Sequence, residues 1–335
     1  MKQHGFRYCS ACSTKLQKRG LTAAGMQRWY CRVCLLSATK PRKDLAHGYV
    51  LERFVKYLLG KDSQSELLTP DRTWRQDTNW CWDVIPPVPM TGEIHTVLLM
   101  DGTRIGNKVC LIVRSPDYVI SWSFAPWEAS WSWDKLLLTI PSPAVIVCDG
   151  QKGMLLSIAR CWPNTRIQRC LFHVWQNLRT KLTLNPQTEA GIDLLAHYRQ
   201  IWDMTTEVDG KAWEKVFHEI YEHHKDFLGE RTYSKTELPG KRSWWYTHRN
   251  TRAAFRQIDK LLQNKQLFTH LDPELQKIVV QAIPRTTNHM EGGTNSTLKG
   301  LLYNHRGMPS HHQQRLAEWY LYNKTEGKKP PRSCL

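Results

Sequence analysis

Two short apolar runs in this 335-residue chain end on the same dipeptide, and that repetition constrains the fold more than any other feature. Leu98-Leu99-Met100 leads into Asp101-Gly102, and Val145-Ile146-Val147-Cys148 leads into Asp149-Gly150. A short apolar run bounded by a turn residue reads as a buried strand. Such a strand delivers its terminal carboxylate to one edge of a sheet, and the glycine leaves room there for a ligand or a turn. Two carboxylates at one edge repel each other unless a cation stands between them, so the pair suits a divalent-metal site. It also suits two ordinary strand-ending turns, because Asp-Gly is a common turn pair. The residues alone leave both readings open.

The surrounding pattern supplies the sheet. Ile85-Pro86-Pro87-Val88-Pro89 continues neither a helix nor a central strand and marks a linker. Beyond it, strands are expected at 95–100, 109–113, 118–124, 144–148 and 165–170, with helices at 131–140 and 152–161. Three strands, a helix, a strand, a helix and a strand make an α/β mixed sheet flanked by helices, as in ribonuclease-H-like folds. From about 178 to 283 the spacing turns helical. Leu194, Leu195, Tyr198, Ile201 and Trp202 form one apolar stripe; Trp213, Val216, Phe217, Ile220 and Tyr221 form a second; Phe255, Ile258, Leu261 and Leu262 form a third. These read as core, as do Trp122, Trp127, Trp131, Trp133 and Cys148. A last helical segment, about 288–322, holds Glu291. The residues Asn288 and Glu291 have the spacing of a helix N-cap and its third-position partner.

The front of the chain is different. Cys9-Ser10-Ala11-Cys12 and Cys31-Arg32-Val33-Cys34 are two C-x-x-C pairs separated by 18 residues. That spacing is the one expected of a four-cysteine Zn²⁺ site, in which two tight turns each offer two thiolates to a tetrahedron. The alternative, four unrelated core cysteines, makes the matched pairs a coincidence. Lys15, Lys18, Arg19, Arg28 and Arg32 lie among these ligands and suit phosphate contact. Behind the ribbon, Tyr49, Val50, Phe54, Val55, Leu58 and Leu59 recur at helical spacing up to Gly60. A second short helix is expected at Gln64–Leu68, and Asp71 suits an N-cap for a third, carrying Arg72, Trp74 and Arg75. This succession resembles a helix-turn-helix whose Arg72 and Arg75 contact DNA; it equally describes a small helical spacer.

The formal net charge is +17, which favours a polyanionic partner over a neutral or acidic one. A basic surface without a partner, or a membrane-surface protein, also fits that charge. No run approaches the ~18 apolar residues of a membrane helix, and Met1–Cys9 lacks the apolar core of a secretory signal. The expected location is therefore the reducing cytoplasm, at the nucleoid, where closely spaced cysteines serve metals rather than disulfides. The pair Trp244-Trp245, flanked by Lys241, Arg242, His248 and Arg249, is the best candidate for stacking on unpaired bases.

An ordered set of short motifs gives a more specific resemblance. Asp149-Gly150-Gln151-Lys152-Gly153 is followed by Trp162-Pro163, by Gln168-Arg169-Cys170-Leu171-Phe172-His173 and by Asn177-Leu178. After the helical stretch come Thr286-Thr287-Asn288-His289-Met290-Glu291-Gly292-Gly293-Thr294-Asn295, Leu298-Lys299 and Asn304-His305-Arg306-Gly307-Met308. In this order they resemble the bacterial Mutator-type insertion-sequence transposases, a DDE class, over roughly 97–319. The chain is also similar to a subgroup with a zinc ribbon and helix-turn-helix in front. The resemblance implies that Asp101, Asp149 and Glu291 are the catalytic acids and hold Mg²⁺ (or Mn²⁺), two ions per site and ~4 Å apart. It matches Cys170 and His173 to a C-x-x-H motif, for which a structural or supporting role beside the acids is expected. Two glycines after Glu291 suggest a close approach there. Asn288, Lys299 and Arg306 join Arg72, Arg75, Trp244, Trp245 and Arg249 as expected DNA contacts.

The implied organisation is a zinc ribbon at 1–40, a helical DNA-binding segment at 41–84, and a catalytic core at 91–177 and 284–323. An all-helical insertion at 178–283 interrupts that core, and a loose basic tail at 324–335 follows. The implied activity is cleavage of DNA at element ends and joining of the 3′-OH to target DNA, by a homodimer or higher homo-oligomer. A non-enzymatic DNA-binding regulator and a plain metal-dependent nuclease or resolvase are the alternatives.

Overall fold

The computed structural model describes residues 7–9, 14–40, 43–61, 71–88, 92–234, 243–279 and 282–335. The chain forms two compact units: Met1–Met90 with Arg104–Asn107 and Asn295–Leu335, and Thr91–Thr103 with Lys108–Thr294.

The first unit opens with three antiparallel strands, β1 (Gln17–Leu21), β2 (Gln27–Tyr30) and β3 (Ser37–Ala38), in that order. Their small core is Cys9, Leu16 and Cys31, with Trp29 and Cys34 packed against it. Helix α1 (Lys43–Leu58) buries Leu51, Phe54, Val55 and Leu58, the 3–4 spacing expected from the sequence. Helix α2 (Asp71–Thr78) buries Trp74 and Thr78 and leaves Arg72 and Arg75 exposed. The helix expected at Gln64–Leu68 lies outside the described residues.

The second unit is built on strands β4 (Val97–Ile105), β5 (Lys108–Arg114), β6 (Val119–Ala125), β7 (Val145–Cys148) and β8 (Arg166–Arg169). They form one mixed sheet in the order β6-β5-β4-β7-β8. The β5–β6 pair is antiparallel, whereas β7 runs parallel to both β4 and β8. Helices α3 (Ser130–Leu137) and α4 (Lys152–Cys161) follow β6 and β7. They close one face of the sheet over Leu98, Met100, Leu111, Val113, Ile146 and Cys148, the alternate positions of three strands, together with Trp133, Met154 and Ile158. The intervening positions Leu99, Ile112 and Val147 are buried too, which is why these strands read as continuous apolar runs. One expectation changes: β4 does not end at Met100 but continues through Asp101 to Ile105.

Helices α5 (Leu171–Leu182), α6 (Glu189–Arg199), α7 (Glu207–His223), α8 (Lys225–Gly229), α9 (Arg249–Gln263) and α10 (Pro273–Ile278) follow. The three expected stripes meet in their core around Tyr198, Trp213, Phe217 and Phe255, but Trp202, at the end of the first, and Val216, inside the second, are exposed. Nor is this region all-helical. A two-stranded antiparallel ribbon, β9 (Arg231–Tyr233) with β10 (Trp244–Tyr246), interrupts it between α8 and α9. The region is tied to the sheet through Gln168, which is fully buried. Its amide donates to Leu267 O and accepts from His270 N.

The last segment is also not one helix. Residues His289–Asn295 form a π-helical turn, followed by α11 (Ser296–Asn304) and α12 (Ser310–Asn323). The basic tail is not loose: Tyr322 Oη donates to Lys329 O, and Arg332 pairs with Glu52 of α1 at 3.3 Å. Among the described residues, no helix is long and apolar enough to cross a membrane.

Candidate active site

Asp101 and Asp149 come together through strand register. Met100 pairs with Cys148 across the parallel β4–β7 ladder, so each acid is the next residue on its strand. Neighbouring strands lie about 4.8 Å apart, which brings both carboxylates to the same part of the sheet. Asp101 is buried and accepts from Gly102 N at 2.9 Å. Asp149 Oδ1 accepts from Gln151 N at 2.9 Å, and the Gln151 side chain accepts from Met154 N at 2.8 Å, capping α4. Gly150 is required twice over. Its φ is +80°, and a Cβ there would sit 1.8 Å from the Arg169 guanidinium carbon. Arg169, opposite Cys148 on β8, donates to Asp149 O.

A third carboxylate, unmarked by any motif, stands beside these two. Glu128 lies in the turn between β6 and α3. Its Oε1 accepts from Trp133 Nε1 at 3.2 Å, and its carbonyl accepts from Gln151 Nε2 at 2.9 Å. Burial pushes its carboxyl up, the charges of Asp149 and Asp101 add to that, and the Trp133 bond partly opposes it, leaving a pKa of about 7.

Glu291 occupies the π-helical turn; its side chain lies outside the described residues. The turn is fastened at both ends. Before it, Thr287 donates from N and Oγ1 to Cys170 Sγ, both at 3.3 Å. Near its end, Arg114 Nη1 donates to Thr294 Oγ1 at 2.9 Å, while Arg114 also bonds the carbonyls of Ser115 and Pro116. Met290, between them, is fully buried. Asn288 is therefore not the cap of an α-helix; it precedes a turn set by these tertiary contacts. A Cβ on Gly292 or Gly293 would meet nothing within 4 Å, so no close approach within the chain requires either glycine.

The C-x-x-H residues supply the fastening. Burial raises the Cys170 thiol, but hydrogen bonds from His173 and Thr287 outweigh it and hold the pKa below the ordinary thiol value. Cys170 N also donates to Cys148 O at 2.8 Å, and Leu171 N to Arg285 O at 3.0 Å. One residue thus touches the end of β7 beside Asp149 and the approach to Glu291.

Elsewhere, the Sγ atoms of Cys9, Cys31 and Cys34 lie within 4.8 Å of one another, close enough to bind a metal; Cys12 lies outside the described residues. Cys34 N donates to Cys31 Sγ at 3.4 Å. The expected DNA contacts Arg72, Arg75, Arg249, Asn288, Lys299 and Arg306 are all exposed. Trp244 and Trp245 occupy opposite faces of the ribbon. Arg231 covers Trp244 at 4.1 Å, whereas Trp245 is exposed. Trp122 and Trp133 are core as expected, but Trp127 and Trp131, on either side of Glu128, are exposed.

Comparison with known sequences places this arrangement. The family model described as "Transposase, Mutator family" matches residues 119–230. The matched segment is similar to the Mutator-family transposases. It runs from β6 to the edge of β9 and contains Glu128, Asp149, Cys170 and His173. A curated relative, the transposase for insertion sequence element IS905 of Lactococcus lactis subsp. lactis (strain IL1403), is 30% identical over 105 residues. That match covers 26% of this chain and 27% of the relative, so the aligned region spans about a quarter of that relative's length.

Proposed function

We propose that the chain is a metal-dependent DNA transposase of the DDE class on a ribonuclease-H-like sheet, with Asp101, Asp149 and Glu291 as its acids. The observation that carries this reading is the pairing of Asp101 with Asp149 at one sheet edge, with the turn that bears Glu291 tied to the same strand. Two acids follow one register pair on adjacent parallel strands, and Cys170 ties the end of one strand to the turn bearing the third. The similarity to Mutator-family transposases, whose matched segment includes Asp149, supports the transposase reading.

The carboxylates fit divalent ions such as Mg²⁺ or Mn²⁺. Burial first, and then the charges of Asp149 and Asp101, raise Glu128 to about 7, and a cation relieves the part that is repulsion. Bound there, such ions neutralise charge at a phosphodiester and activate an oxygen nucleophile. The protein's own part is positioning. The β4–β7 register sets two acids side by side, the fastened turn carries Glu291 on its backbone, and Arg169 places a cation against the Asp149 backbone. In the reaction, water's oxygen bonds to phosphorus at the element end and a 3′-oxygen leaves with a proton. That 3′-OH then bonds to a target phosphorus, loses its proton, and displaces the target's own 3′-oxygen. The number of phosphodiesters is conserved in the second step, so no external energy source is needed.

Cys9, Cys31 and Cys34, with Cys12, suit a structural Zn²⁺. The partners are the terminal repeats of the element, target DNA and a second copy of the chain, in the cytoplasm at the nucleoid. The decisive experiment uses Asp149→Asn. It is expected to bind end-containing DNA as the parent does, and to lose cleavage and the joining of pre-cut ends by about 10²-fold or more. Strand transfer at the parent rate would falsify the assignment.

A further inference from the structure

We infer that Glu128 is a fourth carboxylate of the metal centre, seated beside Gly102 by Trp133 and Gln151. The inference rests on the metal-dependent reading above and adds to it a residue outside the three acids that the family resemblance names.

The argument begins with a glycine. Gly102 follows Asp101 in the middle of β4, where its φ is not positive, so backbone conformation does not call for glycine. Space does. A Cβ there would stand 2.7 Å from Glu128 Oε2, 2.8 Å from its Cδ and 2.9 Å from its Oε1. The whole carboxylate lies flat over that position, one residue from Asp101.

The turn from the second strand into α4 is shaped around the backbone of the same residue. Gln151, whose N–H holds Asp149 Oδ1, uses its side-chain amide to hold Glu128 O. Gly153 is likewise not at positive φ, and a Cβ there would meet Glu128 O at 3.0 Å. The Asp-Gly and Asp-Gly-Gln-Lys-Gly sequences therefore do more than turn the chain. Gly102, Gln151 and Gly153 together make a seat for Glu128 between the two acids.

The seat leaves the carboxylate in need of a cation. Trp133 Nε1 bonds one oxygen, Oε1. Among the described residues, no Lys, Arg or His pairs with Glu128, although it is half-buried and beside two other acids. A carboxylate withdrawn from water is ordinarily paired with a cation or bound to a metal. A group serving only to anchor Trp133 has no reason to face Asp101 and Asp149, where its charge is repelled.

The test is Mn²⁺ binding to the full chain, followed by calorimetry and by the electron paramagnetic resonance of the free ion. Glu128→Gln keeps the side-chain volume and an acceptor for Trp133. It is expected to weaken Mn²⁺ by about tenfold or more, with the unfolding midpoint in chelator unchanged. Gly102→Ala provides a second route, because it displaces Glu128 while leaving every carboxylate in the chain; it is expected to weaken Mn²⁺ as well. Parent-like affinity in both variants, with affinity lost in Asp149→Asn, overturns the role of Glu128 and leaves the metal centre standing. A parent chain that binds no Mn²⁺ overturns the metal centre itself, and this inference with it.

Discussion

His270 shows how far a single buried group can set the chain's response to pH. Its backbone N–H and ring Nδ1 both bond the Gln168 side-chain oxygen, at 2.9 and 3.0 Å, and its Nε2 is buried without a hydrogen-bond partner among the described residues. Burial, and then the charge of Arg285, lower its pKa from 6.5 to about 4. Between those values the unfolded chain binds a proton that the folded chain refuses. The stability from neutral His270 is thus fully present above pH 6.5 and is lost as pH falls towards 4. Its size is about 3 kcal/mol at the acid end. His270→Gln is expected to flatten the fall in urea-unfolding free energy between pH 7 and 4.5. An unchanged slope would assign that fall to other groups. Nothing in the local sequence announces this: the ring is set by Gln168, 102 residues earlier. The acids were legible for the opposite reason. Asp101 and Asp149 each end a short apolar run followed by glycine, a local signal, whereas Glu128 becomes a neighbour of both only through the fold.

Elements divide in the same way. Strands β4 and β7 and helix α4 follow from apolar runs and from glycine, since burial on both faces of the sheet leaves little choice of residue. The ribbon β9–β10 does not, because each strand has three residues and its pattern is aromatic and basic rather than alternating. The turn around Glu291 was misread as a capped helix because its conformation is imposed by distant partners, Cys170 at one end and Arg114 at the other. That dependence can be measured. Thr287→Val removes the hydroxyl donor to Cys170, and Arg114→Ala removes the Thr294 anchor. Each is expected to cost about 1–3 kcal/mol through a lost buried hydrogen bond. Each is also expected to raise amide exchange at residues 287–294 while β4 and β7 stay protected. End cleavage is expected to fall at least tenfold with DNA affinity unchanged, since near-attack geometry degrades with small displacements. Normal cleavage in both variants would show that the turn needs no fastening.

At the scale of the whole molecule the net charge of +17 must be separated from the aromatic contacts it accompanies. The two contribute to DNA binding through different physics, and salt distinguishes them. A cation on a phosphate releases condensed counterions, so binding falls with salt in proportion to the number of such contacts. A ring stacked on a base releases none. Arg249, exposed at the start of α9, and Trp245, exposed on β10 four residues before that helix, form a matched pair for this test. Arg249→Ala is expected to weaken binding to every duplex alike and to lower the slope of log K against log salt by about 1. Trp245→Ala is expected to leave the slope as it is and to weaken binding by about 1–3 kcal/mol, only on DNA with unpaired bases at the element end. Filter binding across a salt series, on fully paired and on frayed ends, measures both. If Trp245→Ala lowers affinity equally on the two substrates, the ring packs against protein or backbone rather than a base. The electrostatic term would then be the whole of what this surface contributes.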